Sequence, residues 1–413
     1  MKKWFSLLLA LVLTLSLASF SMAEATPIKI ATWTSNEAQL ELLGSFVKEF
    51  AEKKGIEIDV TFESIDFGEY NTKLLLELQD PAIAPDVYWV LETSAKAFIA
   101  SGNLANLDEA MKDYAPEDLS AGAIALWQEN GSTFAVPFST SPFVLMYNAD
   151  LFAQAGVDTP DKLAAEGKWT WETFREICKT IKEKTGVWGF QTVDGQGYDV
   201  RVLHNLLPII RSFGGDAWND QNEVMIDAPE SVAAVQLFHD MVYVDGSIVP
   251  PGDESSFYTG AAAMTVGQIS RVSNLDEVTW KWGISTLPGN APVIGQAAMG
   301  ANANGKNTAL AAELVAYMTS EPCVARIAGI WPPARKSVLN SEAFLTSNKR
   351  ITADQMKTAV AASIESGRVL PSHVNYPQIE VEARIAYDKL WTADADVAAI
   401  LQEIGGIYRS YMN

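Results

Sequence analysis

Apolar residues recur in two periods along the first hundred or so positions, and the switches between them spell out alternating strands and helices. Ile28, Ile30 and Trp33 lie in IKIATW, a short apolar run that predicts a strand. Thr34 with Glu37 reads as a capping box at the head of a helix. Leu43, Phe46, Val47 and Phe50 then recur at i, i+3, i+4 and i+7, a helical stripe that Gly55 closes. Ile56, Ile58 and Val60 alternate as a second strand. A strand–helix–strand unit predicts a parallel pair joined by a right-handed crossover. A helix near residues 70–78, the buried strand APDVYWVL and a helix over 94–101, ended by Gly102, continue the pattern. The order predicts an α/β sheet covered on both faces. Ligands of such sheets sit beyond the carboxyl ends of the strands, which puts Trp33, Glu37, Glu92 and Thr93 on the rim.

The stretch TFAVPFSTSPFVLMYNADLF, residues 133–152, breaks this rhythm. Two short β-rich runs, 134–136 and 143–147, flank Pro137-Phe138, a polar patch Ser139-Thr140-Ser141, and Pro142. They predict two strands with an extended link. The link reads either as a crossing between lobes or as a bend inside one domain. Beyond it, helices are predicted over 172–182 and 200–213, the latter with Arg201 and His204 near its start and Gly214-Gly215 at its end. A short strand is expected over 186–190 and a polar loop over 192–198. Another helix starts at Asp227, with Val232, Val235, Phe238 and Val242 on one face. The run GANANGK at 300–306 has the spacing of a phosphate-binding loop, but Asn307 stands where a magnesium-binding hydroxyl is needed. It reads instead as a strand, a loop and a helix over 308–319. Helices close the chain from Pro377 on.

Lys2 and Lys3, the apolar run 7–17 and the small residues of Ser21-Met22-Ala23 form a secretory signal peptide over residues 1–23, cut after Ala23. Its apolar run is shorter than the roughly 20 residues of a membrane span. The mature chain is therefore expected to be periplasmic or secreted, and long enough for two domains. Net charge is −21 before the two leader lysines are lost, which argues against nucleic acid or an anionic membrane as partner. Cys178 and Cys323 lie far apart and are expected as two buried thiols. The 3 histidines lack zinc-like spacing, and no G-x-S-x-G elbow or Cys/His pair occurs by motif. Carboxylates are plentiful enough to leave a glycosidase pair open on composition.

The segment GSTFAVPFSTSPFVLMYNADLFAQAG resembles the extracellular solute-binding proteins of ABC sugar importers, the group that includes maltose-binding protein. In that group it carries the chain from the first lobe to the second. FVKEFAEKKGIEIDV, PDVYWVLETSAKAFIASGNLANLDE, the Trp169-Thr170-Trp171 helix start and WPPARKS at 331–337 are similar to further segments of the family, in the same order. PPGDESSFYTGAAAMTVGQISRV resembles another through Gly267, but Ser270-Arg271 stands where the family tends to hold a sugar-stacking tryptophan. Glu37 and Glu92-Thr93 stand where sugar-binding relatives often hold acidic residues, a departure from the maltose pattern.

The resemblance implies a two-lobed periplasmic binding protein fold of type II, α/β in both lobes, with the ligand cleft between them. The first lobe would take residues 24–140 and 300–334, the second 141–299 and 335–413. Crossings fall near 139–142, 296–301 and 332–337. The implied function is capture of a mono- or oligosaccharide by a monomer, without catalysis or cofactor, and delivery to a membrane permease. The alternatives are a secreted enzyme acting on saccharides and a binding protein for a non-sugar solute such as a glycerol phosphate. Trp33, Trp218 and Trp331 are candidates for stacking on a sugar ring, and Glu37, Ser139, Ser141 and Gln268 for bonding its hydroxyls. Glu92, Thr93, Tyr198, His204, Gly300 and Tyr376 complete the expected rim with Arg201 and Arg271. Those two arginines point either to an acidic saccharide, such as a uronate oligomer, or to salt bridges with the abundant surface carboxylates.

Overall fold

The computed structural model of the protein describes residues 25–219 and 221–412; the leader read over residues 1–23 and its cut lie outside them. Strand β1 (Thr26–Thr32) pairs in parallel with β2 (Ile58–Ser64) on one side and with β3 (Val87–Leu91) on the other. Two small hairpin strands, β4 (Gln128–Glu129) and β5 (Ser132–Thr133), precede the 13-residue β6 (Val136–Asn148). β7 (Met264–Gln268), β8 (Trp282–Ser285), β9 (Val293–Ala301) and β10 (Arg368–Val369) complete one curled sheet, ordered β2-β1-β3-β9-β6-β7, with β8 on β6 and β10 on β9.

The long helices among the described residues are α1 (Glu37–Lys54), α2 (Tyr70–Glu77), α3 (Trp171–Thr185), α4 (Val202–Ser212), α5 (Pro229–Tyr243), α6 (Thr308–Met318), α7 (Tyr376–Asp388) and α8 (Val397–Met412). The stripe of α1 is buried at Leu43, Phe46, Val47 and Phe50, and Gly55 ends the helix at φ 65°, a conformation that favours glycine. Its head differs from the expected box. Asn36 is the cap, its side chain accepting from the Gln39 N–H, while Glu37 is merely the first helical residue. Asn36 thus caps the helix by itself, while the Gln39 side chain accepts from the Thr34 hydroxyl, which in turn accepts from the Asn36 N–H, so the reciprocal half of a box is absent.

The link at 137–142 is not a break between two strands. β6 runs straight through it. Its first half pairs antiparallel with β9, from Val136↔Met299 to Pro142↔Ile294. Its second half pairs with β7 from Phe143↔Gln268 and with β8 from Leu145↔Ser285. Both prolines occupy places where a missing N–H disturbs a ladder least: Pro137 at a register shift, Pro142 where β6 changes partner. The short strand expected over 186–190 forms no ladder. Trp188, Phe190 and Gln191 bridge singly to Ala262, Ile248 and Thr265.

Burial divides along β6. Val136 and Phe138 join a core drawn from residues 28–138 and 297–334. Beyond the handover, Phe143, Leu145 and Tyr147 enter a second core with α3, α4, α5, α7 and α8, while Val144 and Met146 enter a third on the opposite face. That is the period-2 alternation of a strand covered on both sides. The helix Glu321–Ile327 gives Cys323 and Ile327 to the first core and Val324 to the third, so it packs between the two. Cys178 and Cys323 are free and buried. GANANGK is the end of β9 and the turn that leads to α6 at Thr308, the non-phosphate alternative. No helix among the described residues is long and apolar enough to cross a membrane.

Candidate functional site: the cleft between the lobes

The carboxyl ends of the three parallel strands deliver Trp33, Phe67 and Glu92 to one wall. Trp89, fully buried on β3, is the pillar behind the aromatic part of it. Trp33 meets Trp89 edge-on at 4.7 Å between centroids, and Trp331 meets it at 5.4 Å. Phe67, half exposed, extends the row from Trp33 at 5.8 Å. The Tyr70 hydroxyl, within hydrogen-bond reach of the Ala31 and Trp89 carbonyls at 3.1 and 3.0 Å, ties β1 to β3 behind these rings. A ring wall held by edge-to-face contacts offers its faces to a ligand at little cost in side-chain entropy.

The floor is the β6–β9 ribbon. Ser139 and Ser141 alternate onto the cleft side, opposite Ala297 and Gly295. Gln296 spans the floor: its N–H donates to the Glu92 carboxylate at 3.1 Å, its Oε1 accepts from Trp127 at 2.7 Å, and its buried amide nitrogen has no protein partner. Gly295 leaves room for its neighbour. A Cβ there would lie 2.7 Å from Nε2 of Gln268, which reaches in from the end of β7.

The far wall is the head of α4. Arg201 Nη1 lies 3.0 Å from His204 Nε2, and the His204 ring packs on Phe143. Burial, with Arg201 adding to it, pushes the His204 pKa down to about 3, so the ring is neutral and Nε2 accepts from the guanidinium. Burial pushes Glu92 up to about 7, against backbone hydrogen bonds and the Arg201 charge. The centre of the cleft is thus lined by both a guanidinium and a carboxyl that titrates near neutrality.

This titration has a sign. Between its ordinary value of 4.5 and about 7, folded Glu92 holds a proton the unfolded chain has released. Stability therefore falls as pH rises through that window. Glu92→Gln, neutral at every pH, is expected to melt progressively higher relative to the parent from pH 5 to 7, with the difference level above. His204 works oppositely between about 3 and 6.5, but equally in both proteins, so it cancels from the difference. A difference in melting temperature that stays flat from pH 5 to 8 would contradict the assignment.

Two adjoining chambers, which share Phe67, Leu91, Glu92, Arg201 and His204, make up this space. The central one, of about 270 Å³, is lined by Trp33, Glu92, Ser139, Ser141, Arg201, His204, Gln268 and Trp331 among the residues expected from sequence. A second, of about 480 Å³, lies against α7 and adds Thr93 and Tyr376. The remaining candidates line neither chamber. Glu37 is exposed at the first turn of α1, and Gln39 lines the cleft instead. Tyr198 donates to the Val249 carbonyl at 2.6 Å and packs on Trp391 in the second-lobe core. Trp218 is buried edge-on against Tyr408, and Gly300 lies in β9, where a Cβ would strike Leu104 at 2.2 Å. Arg271 is exposed in the 3-10 helix Ile269–Glu277, whose preceding residue, Ser270, lines the cleft. Sequence reasoning passed over Gln39, Phe67, Gln296 and Ile330. Phe67 follows the carboxyl end of β2, so the rule that found Trp33 and Glu92 applies to it equally; Gln296 carries no local signal.

Residues 45–353 match the family described as bacterial extracellular solute-binding protein. The chain is 22% identical over 244 residues to the arabinooligosaccharide-binding protein of Halalkalibacterium halodurans, covering 56% of this chain and 52% of that one. It is 25% identical over 285 residues to the sn-glycerol-3-phosphate-binding periplasmic protein of Pectobacterium atrosepticum, covering 64% and 61%. The match thus spans about half to three fifths of these curated relatives. Among solved structures, the cyclic alpha-maltosyl-1,6-maltose binding protein from Arthrobacter globiformis superposes with a TM-score of 0.81 at 18% identity, over 94% of this chain and 99% of that one. The fold is therefore the two-lobed α/β one expected, and since the family match runs through β3, β6, β7 and β9 and both walls of the cleft, the chain belongs to the bacterial extracellular solute-binding proteins.

Proposed function

We propose that the protein captures a saccharide between its lobes, outside the cytoplasm, and hands it unchanged to the membrane permease of an ABC importer. One observation carries the reading: a wall of Trp33, Phe67 and Trp331 faces a hydrogen-bonding floor and wall of Ser139, Ser141, Gln268, Gln296, Glu92 and Arg201. A sugar ring has the matching two-sided character, apolar on its C–H face and polar around its rim. The lobes divide at residues 139–142, near 296–301 and near 332–337, and the separate hydrophobic cores support that division. A ligand touching both walls binds the closed arrangement better than the open one and so shifts the population toward it. The permease reads the closed form, and one copy of the chain suffices.

Binding without turnover is supported by the carboxylate count at the centre. Glycoside hydrolysis needs two carboxyl groups flanking the scissile bond. Glu92 is the one carboxylate among the described residues lining the central chamber. A second reading, an anionic solute such as a glycerol phosphate, is favoured by Arg201, whose guanidinium bonds a neutral ring rather than a carboxylate. The uronate reading needs a second guanidinium, and Arg271 does not line the cleft.

A thermal-shift screen of neutral sugars, uronates, sugar phosphates and glycerol phosphates tests this. A neutral saccharide at 100 times its Kd is expected to raise the melting temperature, through a stabilisation of about 2.7 kcal/mol. A shift from phosphates alone would install the second reading, and cleavage of any sugar at an ordinary turnover rate would overturn the first.

A further inference from the structure

Gly295 stands inside β9, paired with Ser141 of β6. Its φ is not positive, so its backbone makes no demand for glycine. Glycine inside a strand weakens it, and it often marks a place where another group approaches the backbone closely. A Cβ built on Gly295 meets the Phe143 ring and the Ser141 carbonyl at 3.7 Å each, both ordinary contacts. The one close atom is Nε2 of Gln268, at 2.7 Å. Gly300, later in the same strand, has a different reason: a Cβ there would strike Leu104, which is packed in the first core.

Gln268 is the last residue of β7, opposite Phe143 of β6. In the sheet β6 lies between β7 and β9, so the Gln268 side chain crosses a whole strand to reach Gly295. Among the described residues no hydrogen bond holds its amide there. The residue is partly exposed and lines the central chamber with Ser139, Ser141 and Trp331. Its donors and its acceptor are therefore unspent, and the room left by the glycine is what lets them lie on the floor of the cleft.

We infer that Gly295 is a positioning residue that sets the specificity of the cleft: by lacking a Cβ it seats the Gln268 amide on the floor, where its N–H and carbonyl face two neighbouring hydroxyls of the bound sugar. This rests on the saccharide reading above and deepens it. A primary amide carries a donor and an acceptor side by side in one plane. Two adjacent ring hydroxyls match it, one donating to Oε1 and the other accepting from Nε2. A site that bonds a hydroxyl in this way rejects the analogue that lacks it. Alanine at position 295 would push the amide aside at little cost to the fold, because the atom in its way is the tip of a flexible side chain. It would also lower the conformational entropy of the unfolded chain.

The test is a double-mutant cycle read by calorimetric titration of the mature protein. The probe is whichever of glucose, galactose, arabinose, xylose and their linear dimers binds the parent most tightly, together with its monodeoxy analogues. Gly295→Ala and Gln268→Ala are each expected to weaken that sugar about tenfold, and the double variant also about tenfold rather than a hundredfold, because both changes remove the same contact. Gly295→Ala is expected to melt no lower than the parent. Removing either of two neighbouring hydroxyls is expected to cost the parent about tenfold in affinity and either single variant less than about twofold. Three results would overturn the inference and leave the saccharide reading standing: parental affinity in Gly295→Ala, an equal loss from that change in the Gln268→Ala background, or a melting temperature well below the parent's. No binding by any sugar of the panel to the parent would remove both.

Discussion

Trp331→Ala is expected to weaken saccharide binding by about 30-fold or more, a loss of at least ~2 kcal/mol. Large losses on truncation concentrate at rigid aromatic groups that a ligand covers completely, with tryptophan foremost. Trp331 has that setting. Its indole is braced edge-on by Trp89 at 5.4 Å and by Phe138 at 5.7 Å, and both of those rings are fully buried. The backbone beside it is pinned where the Thr140 N–H donates to the Pro332 carbonyl at 2.7 Å. The ring is therefore oriented before ligand arrives, and little of its contact energy is spent on ordering it. Truncation also strips cover from Trp89, so the unliganded protein melts somewhat lower. Titration well below both melting temperatures separates the two effects. Trp331→Phe keeps an aromatic face and is expected to recover part of the affinity. An alanine variant that binds every saccharide as the parent does would refute the stacking role.

The largest effect on stability is expected at Arg335, whose replacement by leucine should cost about 3–5 kcal/mol. Its side chain is essentially inaccessible, yet fully employed. Nε donates to the Thr319 carbonyl at 2.7 Å, Nη1 to Ala115 at 3.0 Å and Nη2 to Tyr114 at 2.8 Å. Asp118 lies 3.6 Å away and is itself held by the N–H and hydroxyl of Ser337. Burial lowers the Arg335 pKa and Asp118 opposes that shift. Thr319 caps the C-terminus of α6, where the helix dipole favours a cation. One guanidinium thus joins the end of α6, the 114–118 turn and the 331–337 segment. Leucine would leave the buried Thr319 carbonyl and the part-buried Tyr114 carbonyl without this donor, while Ala115 keeps the Asp118 N–H. Lysine supplies one point of charge where a planar fork meets three acceptors, so it is expected to recover only part of the loss. Urea unfolding, read as a shift in midpoint, measures this. A leucine variant within 1 kcal/mol of the parent would contradict the account.

Much of the fold follows from local pattern. The stripe from Leu43 to Phe50, the alternation around Ile58 and the buried run before Leu91 set the strand–helix–strand order, because side-chain period and element type are linked by backbone geometry alone. The order then implies which strand ends face a ligand, and Trp33 and Glu92 are there. Motif order along the chain points to the same family that residues 45–353 match. What the local pattern misassigned depends on partners distant in sequence. Pro137 and Pro142 signal breaks, yet β9, more than 150 residues later, pairs across them and keeps β6 whole. The same register turns Ser139 and Ser141 to the cleft. Trp218 and Tyr198 have the chemistry of ligand contacts, but Tyr408 and Trp391 arrive from the C-terminal region to bury them. Arg271 and Ser270 are neighbours in sequence and both exposed, yet only Ser270 lines the cleft, because the 3-10 helix Ile269–Glu277 after β7 sets successive side chains on different faces. Sequence by itself determined the elements, their order and the end of the sheet where a ligand sits, since those depend on periodicity and chain direction. Which side chains meet there was decided by strand register and by long-range packing, which no local window contains.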